Sequence, residues 1–294
     1  MQRLYCGIVI EGKWYNHFTL KKIKGGTLAI LDGADKSGAA KLLNIVKGAI
    51  DKLYTADGGS ELELNDSQFL ELKMADGWKI ALEVIKMMKN EEYPKMRENF
   101  FCPTCSTPKN ERYTELNESW HKLIEDGIIE EHFIDKPEDL GFWVELPIGL
   151  EIPAIGSKFL GGTFKKVKRE TISFKDALRM SNTPSVMDSE SRAVYAHWDL
   201  EIVAIEGIDQ ANINRMIKNN IADSFTQKYL TEQEDIDEMR DSVVKIGLAA
   251  EDRPVSCKFC HSQIGGYLDF TNFFAFLFPK KSTQRGTISN VGMV

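Results

Sequence analysis

Apolar and polar residues alternate from Cys6 to Leu31, which predicts a β-hairpin or short meander with turns at Glu11-Gly12-Lys13 and Gly25-Gly26. Lys21, Lys22 and Lys24 form its solvated edge. The period then lengthens. Leu42, Ile45, Val46, Ala49, Ile50 and Leu53 share one helical face. Ala56-Asp57-Gly58-Gly59-Ser60 reads as a turn, and Leu62 to Leu72 as a strand or an extended link. A helix is expected from Trp78 to Met88 and another from Leu116 to Ile129, followed by an acidic connector to Asp139.

The pattern then starts again. Phe142 to Ile152 is strand-like, and Phe159 to Phe174 reads as a second hairpin. Val194, Trp198, Ile202 and Ile205 place a helix within Ser191–Ile208, and Ala211 to Leu230 is a second helix. Thr231-x-x-Glu234 reads as a capping box opening a third, with Ile236, Met239, Val243 and Ile246 as its stripe and Gly247 as its stop. The Phe270–Phe278 cluster reads either as core of the second half or as a docking surface. Ser282 to Val294 is a polar tail.

Two stretches resemble each other at fixed offset. Residues 19–30 read TLKKIKGGTLAI and residues 163–174 read TFKKVKRETISF, an offset of 144 with five of twelve positions identical. Gly7-Ile8-Val9-Ile10 resembles Gly149-Leu150-Glu151-Ile152 at offset 142. Two C-x-x-C pairs recur at offset 155, so three landmarks appear twice in the same order. The expected fold is therefore α+β, with two pseudo-repeated halves: residues 1–140, residues 141–281, and the tail 282–294.

Composition narrows the class. The chain has 294 residues, 43% hydrophobic and 28% charged, with a net charge of −7. That excludes fibrous and wholly disordered chains, and the length suggests roughly two units. The acidic balance speaks against a dedicated nucleic-acid binder, which needs surplus Lys and Arg. The longest strongly apolar run, Phe273 to Phe278, is far short of the ~20 residues of a membrane span. Leu4 to Ile10 lacks a following cleavage site, so no secretion signal is expected, and a reducing cytosol is.

Five cysteines are present: Cys6, Cys102, Cys105, Cys257 and Cys260. The pairs Cys102-Pro103-Thr104-Cys105 and Cys257-Lys258-Phe259-Cys260 have the spacing of thiolate knuckles, in which a tight turn aims two sulfurs at one point while backbone N–H groups offset their charge. A local zinc ribbon separates its pairs by about 15–20 residues; here 151 residues intervene. The expectation is that the two halves bring the pairs together around one structural zinc per chain, with an iron–sulfur cluster as the alternative cofactor. Thiols without metal are the remaining reading. Cys6 lies in an apolar strand and reads as core, and His261 as a surface residue.

No catalytic motif emerges. Gly33-Ala34-Asp35-Lys36-Ser37-Gly38 begins like a P-loop but has Ala39 where Lys is needed. H-E-x-x-H, G-x-S-x-G and G-x-G-x-x-G are absent, and His17, His121, His132 and His197 are scattered. Four thiolates leave a metal no open position for water, so the chain is expected not to be an enzyme.

The order of landmarks resembles a known family. G-I-x-I near the N-terminus, a basic hairpin, a helix before C-P-x-C, then Phe142-Trp143-Val144-Glu145-Leu146-Pro147-Ile148-Gly149, a helical block and a late C-x-x-C followed by Leu268-Asp269-Phe270 and Phe273-Phe274 resemble the baseplate-hub and hub-assembly proteins of contractile-tailed bacteriophages that carry paired zinc knuckles. The resemblance covers most of the chain, which is longer than the simplest members by its tail after Pro279. It implies a non-enzymatic virion component or assembly factor of the tail tip. Such a protein is made in the host cytoplasm, built in several copies into a symmetric baseplate, and contacts hub, tape-measure or wedge subunits. Cys102, Cys105, Cys257 and Cys260 are the residues it carries over. The basic stretches Lys21-Lys22-Ile23-Lys24 and Lys165-Lys166-Val167-Lys168 keep open an alternative, a metal-stapled nucleic-acid-binding or transcription-associated module.

Overall fold

A computed structural model describes residues 1–22, 37–87, 95–98, 104–105, 113–115, 120–127, 129–154, 161–183, 190–218, 223–242, 246–250, 253–256 and 260–268. The fold is α+β, as the two hydrophobic periods predict.

The first sheet begins with β1 (Gln2–Ile10) and β2 (Lys13–Leu20), a hairpin closed by Glu11 and Gly12 at positive φ. The helix α1 (Gly38–Ala49) follows, capped by Ser37, whose side chain accepts from the Ala40 N–H. β3 (Ile50–Thr55) and β4 (Glu61–Leu62) complete an antiparallel sheet in the order β1-β2-β3-β4. The expected helix over Leu42–Leu53 thus stops at Ala49, and the chain turns extended at Ile50. The stretch read as a strand or link contains α2 (Asp66–Glu71), where Asn65 and Gln68 form a capping box that outweighs the apolar alternation. α3 (Met74–Met87) lies where a helix was expected, four residues longer at its start. Leu42, Ile45 and Val46 of α1 and Ile80 and Leu82 of α3 pack with Leu4, Phe18 and Leu53 of the sheet into one core.

β5 (Lys95–Glu98), β6 (Tyr113–Glu115), α4 (Trp120–Glu125) and β7 (Ile129–His132) lead to β8 (Gly141–Ile152) and β9 (Gly162–Glu170). α5 (Phe174–Ser181) and α6 (Glu190–Glu201) come next. The helix expected to run to Ile208 ends at Glu201, and β10 (Ile202–Ile205) pairs with β9 in the sheet β10-β9-β8. The single helix expected over Ala211–Leu230 is broken into α7 (Gln210–Ile213), a π-helical turn (Asn214–Lys218) and α8 (Phe225–Tyr229). α9 (Gln233–Asp241) starts after Glu232 without a side-chain cap, so the Thr231 capping box does not form. Gly247, expected as a helix stop, opens β11 (Gly247–Ala250). Val144, Val167, Trp198, Ile202, Phe225 and Met239 form the second core.

β12 (Arg253–Ser256) and β13 (Gln263–Leu268) finish the described chain. The Phe270–Phe278 cluster and the tail lie outside the described residues. Two small sheets join early and late segments: β11 with β7, and β12-β13-β5-β6. Phe174 is a third joint. It is fully buried in the first core, and its N–H bonds the Leu72 carbonyl at 2.9 Å.

Both edge strands bulge at a glycine. Register shifts between Arg3 and Ile8 in β1, where Gly7 has φ +68°, and between Glu145 and Leu150 in β8, where Gly149 has φ +105°. A Cβ at Gly7 would stand 2.7 Å from the Tyr15 carbonyl, so glycine is required there.

Candidate metal centre

The two knuckles lie in connections of one sheet. Cys102 and Cys105 belong to the β5–β6 connection, and Cys257 and Cys260 to the β12–β13 connection. Register fixes which way these connections leave. Arg97 pairs with Tyr113, Ser256 with Gln263, and Gly266 with Glu98. The C-terminal end of β5, at Glu98, therefore lies beside Gly266 and points toward the N-terminal end of β13. Both C-x-x-C connections depart from the same end of the β12-β13-β5-β6 sheet, on neighbouring hairpins. A 151-residue gap in sequence becomes one strand spacing, about 4.8 Å, between the strands that carry them.

Cys105 and Cys260 are described, each half-buried and neither in a disulfide. Cys102 and Cys257 lie outside the described residues. Among the described residues no group of three or more His, Cys, Asp or Glu side chains converges on one point. Sγ of Cys260 is 2.7 Å from Oγ of Ser262. Between them His261 takes φ +59°, a left-handed conformation that a non-glycine residue adopts only at a cost. His261 itself is exposed. Cys105 and Cys260 are the two described members of the four-cysteine set that the sequence predicts.

Cys6 is core, as expected. It is 1% exposed, and burial pushes its thiol well up. Lys21, Lys22 and Lys165 are exposed, but the second basic stretch is interleaved with acid: Lys166 faces a shallow depression shared with Glu145 and Glu206. Among the described residues no helix is long and apolar enough to cross a membrane.

One polar cluster escaped the sequence reading. Glu201 lies one turn after His197 on α6, and its Oε1 is 3.1 Å from the imidazole Nε2. Its Oε2 accepts from Arg169 Nε at 3.1 Å. Arg169 Nη2 donates to the same oxygen at 2.5 Å, and Nη1 donates to the carbonyls of Met239 (2.6 Å) and Ser242. Burial raises the Glu201 carboxyl, but His197 and Arg169 outweigh it and hold the group below its ordinary range. The H-x-x-x-E spacing was the available signal. Its partner Arg169 reads in sequence as one more residue of a basic strand.

No family model, curated protein or solved structure matches the chain.

Proposed function

We propose that the chain is a non-enzymatic structural or assembly component of a contractile-phage tail baseplate, in its hub region. In this reading it is built of two related halves that one zinc ties together through Cys102, Cys105, Cys257 and Cys260. The observation that carries the metal centre is the departure of both C-x-x-C connections from one end of one four-stranded sheet. The bound metal would supply no chemistry beyond cross-linking, because four thiolates fill its coordination sphere. Its binding would add to the folding free energy of that sheet.

The duplication has its own support. Each of the two edge strands bulges at a glycine, each bulge is held by an aspartate at the third position of a helix, and each such helix precedes a C-x-x-C. The placement in the baseplate rests on the order of landmarks in the sequence. Hub, tape-measure or wedge subunits are the corresponding partners, the chain is multi-copy within the virion, and it is made in the host cytoplasm.

Elemental analysis of untagged protein purified without chelator tests the metal. One zinc per chain is expected, lost equally in Cys102→Ser and Cys257→Ser. Iron with visible absorbance would replace the cofactor with a cluster, and four titratable thiols without metal would remove the centre. The placement is tested by disrupting the gene in its phage. Tails lacking a finished baseplate are expected, whereas intact infectious tails would overturn it.

A further inference from the structure

The sheet β10-β9-β8 carries two different rows of side chains. Val144, Val167 and Ile205 lie abreast across its three strands and point into the second core. The next row is Glu145, Lys166 and Glu206. Register pairs Glu145 with Lys166, and the Glu206 N–H bonds the Lys166 carbonyl at 3.0 Å. Strand alternation turns this row away from the core. Trp143 stands two residues before Glu145 on the same face and is 51% exposed. These four side chains line a depression of about 370 Å³.

The lining decides what the depression accepts. Among the described residues, no ion pair or hydrogen bond uses the three charged side chains, so their bonding capacity is unspent. An anion would meet two carboxylates, and a cation would meet the ammonium of Lys166 in the middle of the row. A wholly apolar molecule would strip water from three charges without replacing it. A neutral polyhydroxylated ring satisfies all four groups. Carboxylates accept from hydroxyls, an ammonium donates to them, and such bonds to ionised groups are the strong ones. The apolar C–H face of the ring lies on the indole, whose π-face is negative. We propose that this depression binds a neutral sugar ring, stacked on Trp143, with Glu145 and Glu206 accepting from its hydroxyls and Lys166 donating to them. The site shares no residue with the four cysteines and does not depend on the metal reading.

Saturation-transfer NMR on the full chain tests this, with methyl β-D-glucopyranoside as the probe. Binding in the range of about 1–10 mM is expected for so small a ligand, with transfer strongest at the axial ring protons that face the indole. Trp143→Ala removes the platform from an exposed position that the core does not use, and binding is lost. Glu145→Gln keeps the shape without the charge and weakens binding roughly fivefold. Cellotetraose distinguishes the source of the sugar. An affinity more than about tenfold above the glucoside assigns a polysaccharide chain, and a similar affinity assigns a free sugar; both support the site. No transfer to the glucoside overturns the proposal. So does unchanged binding in Trp143→Ala, or tighter binding of glucuronate or glucosamine, which would make charge rather than hydroxyls the recognised feature.

Discussion

Asp76 and Asp235 do the same work on opposite sheets. Asp76 takes the N–H of Cys6 at 2.8 Å and of Gly7 at 3.0 Å, and Asp235 takes the N–H of Ile148 at 2.9 Å and of Gly149 at 2.8 Å. Each stands third in its helix, α3 or α9, and each is essentially buried. A glycine bulge frees two amides from the strand ladder, and a helix-borne carboxylate satisfies both. Asp76→Ala would orphan two buried donors, and Asp235→Ala one buried and one half-buried, at about 1–3 kcal/mol apiece. A loss of about 2–5 kcal/mol is expected from either in urea denaturation. Hydrogen exchange should quicken at Cys6 and Gly7 in the first variant and at Ile148 and Gly149 in the second. A uniform effect on both bulges would argue against local devices.

Asp76 also gives stability a pH dependence. Burial raises its carboxyl to about 7, against the opposing pull of the Cys6, Gly7 and Tyr5 amides and Lys73. A raised folded-state pKa means that the folded protein holds this proton after the unfolded chain has released it. Its contribution is then fullest at acid pH and declines between about pH 4 and 7. The full span corresponds to on the order of 4 kcal/mol. Measured against Asp76→Asn, the wild type is expected to lose relative stability from pH 5 to 7.5 and to level off above. Parallel curves would show that the carboxyl titrates normally.

Gly77 is a packing glycine. A Cβ there would stand 2.4 Å from Cζ of Phe174 and 3.0 Å from Cδ2 of Leu42. Gly77→Ala is therefore expected to destabilise by about 1–3 kcal/mol, although alanine is the better helix former. Phe174→Leu should recover part of that loss in the double variant. Additive losses would place the clash elsewhere.

The Arg169–Glu201 pair is buried, with side chains 5% and 9% exposed. Glu201→Gln leaves Arg169 without its counter-charge, and Arg169→Met leaves Glu201 with only His197. Each is expected to cost about 3–5 kcal/mol in denaturant unfolding, and Arg169→Lys is expected to rescue poorly because Lys lacks the planar fork. A double variant, Arg169→Met with Glu201→Leu, should cost less than either single change. Simple additivity would contradict a coupled pair.

The sequence made the first hairpin legible because alternation and the Glu11-Gly12 turn are local signals, whereas the hairpin expected over Phe159–Phe174 is one strand, β9, followed by the start of α5. It also showed the two C-x-x-C pairs and the spacing between Gly7 and Gly149, each of which stands at a bulge, since spacing survives without structure. It misled where tertiary contacts override periodicity. Ile202 and Ile205 continue a helical stripe in sequence, yet they form β10 because β9 offers them a ladder and Val144 and Val167 a shared core. Asn65 and Gln68 overrode an apolar run by capping α2. Asp76 and Asp235 were invisible, because what marks them is burial beside a bulge, and an isolated aspartate in a helical stretch reads as surface.

The pairing of β5 with β13 sets a schedule on the ribosome. Residues 95–115 leave the exit tunnel well before residues 253–268 are made. At roughly 5–20 residues per second, that interval is on the order of ten seconds. Throughout it the nascent chain carries one unmatched hairpin edge and the first pair of thiols, with neither the neighbouring strand nor the second pair yet synthesised. Translation speed and the thiol chemistry of the surrounding cell therefore act on this protein before its last fifty residues exist.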